Sequence, residues 1–313
     1  MLAMGERGVS RETTAGGSMR GIAVMGTGPA VGATHVVVGL ARALIDRGQR
    51  VAVSTLVETG CSIAERQGEL EVDGMPGTLD PRAQQAYRRL TELVGPPPIS
   101  VSTRTGNDAL KPGTAARLLD LLGEELACKD LDLIAPYRYS AHVSPAMAAQ
   151  LAARPIEIEP LMRSLSSLAA ASDVVVIDGG PGLLEPLADR LAMVDVLKRA
   201  QLPVLLVAPS RAGAGLVSLL RMQIETVQRY QLELAGVVLN RLEDKLRLEE
   251  ASTPLLLERI AGDVVRGVFP YIDLARRNDA RHLGERFDVH VDVDTIVQVV
   301  HGGSGPGGFP NLS

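Results

Sequence analysis

Residues 21–34 read Gly21-Ile22-Ala23-Val24-Met25-Gly26-Thr27-Gly28-Pro29-Ala30-Val31-Gly32-Ala33-Thr34. Gly21–Met25 is a short apolar run, predicted as a buried strand. A glycine-rich turn follows, and then an amphipathic pattern predicting a helix over Ala33–Arg47. Strand, glycine turn and helix form the frame of the phosphate-binding loop, G-x-x-x-x-G-K-[ST], with Gly26–Thr34 in register. In such a loop, glycines let backbone N–H groups turn inward around phosphate oxygens, and the helix N-terminus adds partial positive charge. Thr34 stands where the hydroxyl ligand of a magnesium ion belongs. Ala33 stands where the motif has its lysine. The plainer alternative is a glycine-rich turn between a strand and a helix with no ligand.

Outward from this loop, apolar β-branched runs alternate with helical patterns. Strands are expected at Arg50–Ser54, Leu131–Ala135, Asp173–Ile177, Val204–Ala208, Ala235–Leu239 and Gly267–Phe269. Helices are expected at Thr114–Leu126, Glu159–Ala171, Leu187–Ala200 and Ala214–Tyr230. All-apolar strands alternating with helices imply a mostly parallel sheet covered on both faces. Ile63–Arg104 breaks the rhythm with MPG, LDP and GPPP, carries one helical stretch at Pro81–Val94, and reads as an insertion or flap. Residues 1–19 and 301–313 read as polar, glycine-rich tails around a single domain over 20–300.

Composition narrows the function classes. The chain has 313 residues, 46% hydrophobic and 22% charged, enough for a sizeable core. A net charge of −5 argues against a dedicated nucleic-acid binder. No apolar run reaches the length of a membrane helix, and Met1–Arg20 does not read as a secretory signal. Two cysteines, Cys61 and Cys128, offer neither a disulfide framework nor metal spacing, which suits the cytoplasm. Of 32 basic residues only four are lysines, namely Lys111, Lys129, Lys198 and Lys245.

Asp178 ends an apolar run and precedes Gly179-Gly180. A carboxylate at the carboxyl end of a parallel strand is suited to hold magnesium, and equally suited to cap a glycine turn. His35 follows Thr34, but adjacent helix positions point about 100° apart, so it reads as a half-buried helix residue rather than a substitute for the lysine.

These stretches together resemble the ATP-dependent dethiobiotin synthetases. The resemblance spans about Gly21–Leu274 and rests on Gly26–Thr34, RVAVSTLVETG at Arg50–Gly60, NDAL at Asn107–Leu110 and PYRYSAHVSPAMAA at Pro136–Ala149. Further matches are RPIEI at Arg154–Ile158, VVVIDGGPGLLEPL at Val174–Leu187, LPVLLVAPSRAGAG at Leu202–Gly215, LAGVVLN at Leu234–Asn240 and FPY at Phe269–Tyr271. It implies a P-loop NTPase-like three-layer α/β sandwich with a mostly parallel sheet. The activity implied is magnesium- and ATP-dependent carboxylation and ring closure of a diamine acid such as diaminopelargonate. The family forms homodimers with the substrate pocket at the subunit interface.

Position by position, the resemblance implies a nucleotide loop at Gly26, Thr27, Gly28, Pro29, Ala30, Val31, Gly32, Ala33 and Thr34. It makes Thr34, Asp108 and Asp178 metal-type ligands, and Asn240 with Pro270 and Tyr271 the surroundings of the adenine. Thr59 and the segment Val143, Ser144, Pro145 fall at the diamine substrate. Arg211 falls where the family has a cation and is expected to hold a loop. The departures concern the lysines. Ala33 replaces the loop lysine, and Thr55 replaces the lysine that, in the family, stabilises the carbamate and the phosphate passing to it. Glu58 is expected to add negative charge nearby. No catalytic residue is therefore assigned. Three readings follow: a ligase of this family, a non-catalytic homologue keeping the pocket for binding or regulation, and a partner subunit of a lysine-bearing paralogue.

Overall fold

The computed structural model describes residues 19–63, 110–211, 215–245 and 248–302, together with Gln85 and Glu92. The expected insertion, its helical stretch over 81–94, and both tails fall almost wholly outside these residues, as does Asp108. Six strands build the central sheet: β1 (Gly21–Gly26), β2 (Val51–Ser54), β3 (Val174–Asp178), β4 (Val204–Pro209), β5 (Leu234–Asn240) and β6 (Val265–Phe269). Their order is β6-β5-β4-β1-β3-β2, and every neighbouring pair is parallel.

Alternation of side chains along each strand divides the core in two. Ala23, Met25, Val175, Ile177, Leu206 and Leu239 face one layer, under α5 (Ile158–Ala171), α6 (Met193–Ala200) and α7 (Leu216–Arg229). Ile22, Val24, Val174, Val176, Leu205 and Val238 face the other, against α1 (Ala33–Asp46), α2 (Gly113–Leu122), α9 (Ala280–His290) and α10 (Val293–Val300). Because both faces are covered, the strands read as continuous apolar runs. The crossing of α1 and α9 is close: a Cβ at Gly39 would meet the Phe287 ring, and one at Gly284 would strike the Arg42 stem. That crossing fixes the helix that begins at the loop.

Two expected elements differ. The run at Leu131–Ala135, read as a strand, forms the short helix α3 (Leu131–Ile134), because the Asp130 carboxylate accepts from the Asp132 N–H and caps it. The Ile134 carbonyl is then turned toward the end of β2, where it accepts from Thr55 N at 2.9 Å and Ser54 Oγ at 2.9 Å. The helix expected over Leu187–Ala200 is only α6. Its first half is a short antiparallel ladder of Pro186–Ala188 with Leu191–Ala192, and Asp195 accepts from the Ala192 N–H at 2.8 Å where the ladder gives way to the helix. The sequence reading did not include α4 (Pro145–Leu151), α8 (Leu248–Ala261), α9 or α10. Among the described residues, no helix is long and apolar enough to cross a membrane.

Candidate functional site: the cavity at the carboxyl edge of the sheet

In this strand order the chain runs from β1 to the β2 edge, fills in β3, and then crosses to β4, β5 and β6 on the other side. A crevice forms at the carboxyl ends of the strands where that reversal occurs. It contains a cavity of about 630 Å³, lined by the loop, Asp178 from the end of β3, Asn240 from the end of β5 and Phe269 from the end of β6.

The loop is pinned from both sides. Gly26 N donates to the Gly180 carbonyl at 2.9 Å, and Thr27 N donates to the Val207 carbonyl of β4 at 2.9 Å. Gly32 precedes α1 with φ +83°, a left-handed conformation that suits glycine. A Cβ at this position would also run into the Asn240 amide. That amide donates to the Val31 carbonyl at 2.8 Å, so Asn240 holds the loop from across the sheet. Gly28 has open space where a Cβ would stand, and α1 begins without a side-chain cap.

Thr34 and Asp178 are 144 residues apart in sequence, and the Thr34 hydroxyl donates to Asp178 Oδ2 at 2.6 Å. Burial raises the Asp178 pKa, opposed by the Thr34 hydroxyl and the Gly180 N–H. The donor set fits a hard divalent cation: a hydroxyl and a carboxylate meet at the mouth of a loop of backbone N–H groups. The Thr27 hydroxyl is buried with no hydrogen-bond partner among the described residues.

Thr55 is buried, and its hydroxyl points to the Ile134 carbonyl and to the Glu58 carboxylate rather than into the cavity. Glu58 is buried, and its oxygens accept from Thr114 N at 2.9 Å and Ala115 N at 2.6 Å, so the carboxylate closes the first turn of α2. Burial, and to a smaller extent the nearby Asp178 carboxylate, raise its pKa, with the two backbone N–H groups and the Thr55 hydroxyl acting the other way. The acid expected near the site is therefore there, and it also caps a helix.

Thr59 lines the cavity beside His142. Val143 is exposed, Ser144 precedes α4 and Pro145 is its first residue; none of the three is on the cavity wall. Pro270 lines the cavity, while Tyr271 lies under the Arg277 guanidinium, 5.8 Å from its ring centroid. Arg211 is ion-paired with Glu243. His35 faces Arg117, whose Nη2 donates to His35 Nε2 at 3.1 Å. Burial, then Arg117 and Arg277, lower the His35 pKa to about 4, so the ring is neutral at physiological pH. The sequence reading did not single out Arg117, His142 or Arg277. No lysine is among the described residues that line the cavity.

A nucleotide-type loop at the switch point of a parallel sheet defines a P-loop α/β protein. The model of a family described as an AAA domain, AAA_26, matches residues 114–282. The ATP-dependent dethiobiotin synthetase BioD of Anaeromyxobacter dehalogenans strain 2CP-1 is 31% identical over 270 residues, covering 85% of this chain and 96% of that protein. The BioD of strain 2CP-C is 35% identical over 185 residues, 58% of this chain and 78% of that protein. Among solved structures, the cobyrinic acid a,c-diamide synthase of Mycobacterium smegmatis with bound ADP and magnesium aligns with a TM-score of 0.45 at 17% identity, covering 93% of this chain and 100% of that one. The chain belongs to the dethiobiotin synthetase family.

Proposed function

We propose that this protein binds a magnesium–adenine nucleotide complex in the loop cavity and has lost most of the lysine-dependent turnover of its family. The observation that supports this reading is the Thr34–Asp178 pair, in hydrogen-bond contact at 2.6 Å beside a cavity wall that holds Ala33 and no lysine. Thr34 and Asp178 would hold the ion, with Asp108 as the third ligand that the family resemblance implies. Magnesium supplies charge neutralisation to the phosphates when bound. Asn240 spends its N–H on the loop and keeps its amide oxygen to accept from an adenine amino group. Removing a donor that stabilises transition-state charge typically costs about 10²–10³-fold in kcat, and two such positions are neutral here.

The test is a titration with ATP, with and without magnesium, beside an assay with diaminopelargonate and bicarbonate. Magnesium-dependent binding with ADP release at background is expected. Binding indifferent to magnesium overturns the metal assignment. Release of ADP and dethiobiotin well above background establishes the second reading, a working ligase, which is favoured by the similarity extending over 96% of the A. dehalogenans 2CP-1 BioD. The proposal places the protein in the cytoplasm as a homodimer. Native mass measurement of the protein from host extract separates that from a heterodimer with a lysine-bearing paralogue.

A further inference from the structure

Three arginines line the loop cavity: Arg117, Arg241 and Arg277. Arg241 has an acid opposite it, Glu250 at 3.9 Å. Arg117 and Arg277 have no carboxylate partner among the described residues. Arg117 Nη2 donates to His35 Nε2 at 3.1 Å, to Asn278 Oδ1 at 3.3 Å and to the Arg277 carbonyl at 3.4 Å. Arg277 Nε donates to the Ile272 carbonyl at 3.0 Å, with its guanidinium over the Tyr271 ring. None of these partners is a carboxylate.

Several arginines elsewhere have acid partners. Arg47, Arg50, Arg199 and Arg276 all face acids at the surface. Arg117 and Arg277 are both half-buried on the wall of one cavity, with no carboxylate partner among the described residues. Their place is informative, because His35 immediately follows Thr34 in the first turn of α1. The unbalanced positive charge is therefore set beside the loop whose own cation is missing at Ala33.

We propose that Arg117 and Arg277 form a cationic pair that grips the phosphate groups of the bound nucleotide and supplies the counter-charge absent at Ala33. The proposal rests on the nucleotide reading above. A guanidinium presents a planar fork of donors suited to phosphate oxygens, and both arginines are held in place by bonds that use only part of that fork. Their anchoring to α2 and to the segment after β6 makes them binding residues rather than a replacement for a mobile lysine at the reacting phosphate.

The test titrates Mg·ATP, inorganic tripolyphosphate and adenosine into the wild-type protein, R117Q/R277Q and R117K/R277K. The glutamine pair is expected to lose at least about 30-fold in affinity for ATP and for tripolyphosphate, and to keep adenosine affinity within about twofold. The lysine pair is expected to recover most of the loss. Should the glutamine pair fail to fold by circular dichroism, R277Q alone leaves the Arg117 bonds intact and carries the same test, with about a fivefold expected loss. If the wild type binds ATP and the glutamine variants bind it equally well, the arginine pair is overturned and the nucleotide reading stands. An equal loss for adenosine also overturns it, since that is a structural effect. If the wild type binds tripolyphosphate through the arginines but not ATP, the pair stands and the nucleotide reading fails. Binding of neither ligand by the wild type overturns both.

Discussion

The ends of β1 and β3 on one side and the end of β2 on the other use their polar side chains differently. At the first, Thr34 donates to Asp178 and the loop is tied to Gly180 and Val207. At the second, the position that resembles the family's substrate-side lysine is Thr55, and Glu58 closes the first turn of α2. One region retains oxygen donors suited to a metal. The other places a buried acid on the first turn of a helix. Glu58 is both a helix cap and an electrostatic neighbour of Asp178, so it closes α2 while keeping an acid near the site.

The sharpest way to break this contrast is to return the lysines. A33K alone restores one cation at the loop. T55K introduces its ammonium beside Glu58, whose carboxylate already bonds the Thr55 hydroxyl, so an ion pair forms and the lysine is held out of the cavity. A33K/T55K is therefore expected to gain little dethiobiotin-forming activity, and A33K/T55K/E58A about 10²-fold or more. Equal rates from the double and triple variants would show that Glu58 does not restrain position 55.

Next in size is D178N. The folded Asp178 carboxyl is raised by burial, so it binds a proton more readily than in the unfolded chain. Its contribution to stability is thus present below the unfolded value and is lost as pH rises through the folded value. At pH 7.5 its charge opposes folding when no metal is bound. D178N is expected to raise Tm at that pH, to flatten the decline of Tm from acid toward neutral pH, and to weaken magnesium-dependent nucleotide binding by about 100-fold. A lower Tm in the metal-free variant would show that the charged carboxylate contributes net stability.

G32A tests the intact region through its backbone. The left-handed conformation costs a residue with a Cβ about 1–2 kcal/mol, and displacing Asn240 from the Val31 carbonyl adds about 1 kcal/mol. Because Asn240 is both obstacle and support, G32A/N240A is expected to cost less than the sum of the single changes in urea unfolding. Strict additivity would separate the two residues.

The six strands were legible because both faces of the sheet are buried, which turns each strand into a plain apolar run. The stretch Leu131–Ala135 was misread because its four apolar residues around Asp132 fit one turn of helix as well as a short strand, and the Asp130 cap decides between them. The helices after Asp279 and Asp292 carried capping signals of the same kind, with each side chain accepting from a first-turn N–H. Within the site, Thr34 and Asp178 were legible because each closes a recognisable strand-and-turn motif. Arg117 and Arg277 were not. In sequence they are two charged residues among many, and only the packing of α2 and of the segment after β6 places them on one wall. Glu58 was expected near the site, where it faces Asp178, but its capping role was not legible, since a cap on a helix that starts more than fifty residues later has no local signature.

The smallest expected effect links the two regions. Glu58 holds the first turn of α2, and Arg117 lies on that helix one turn further on, with its guanidinium in the loop cavity. E58Q keeps an acceptor oxygen but loses the charge that faces the helix N-terminus, at a cost of about 1 kcal/mol in stability. If the end of β2 serves the loop only by positioning α2, E58Q must also lower ATP affinity by about two- to threefold, through a loosened Arg117. The same substitution in an R117Q background must then leave ATP affinity unchanged while its stability cost persists. A loss of affinity that survives in the R117Q background would instead mean that Glu58 acts on the nucleotide by a route of its own, and that the region at the end of β2 has kept a direct part in ligand binding.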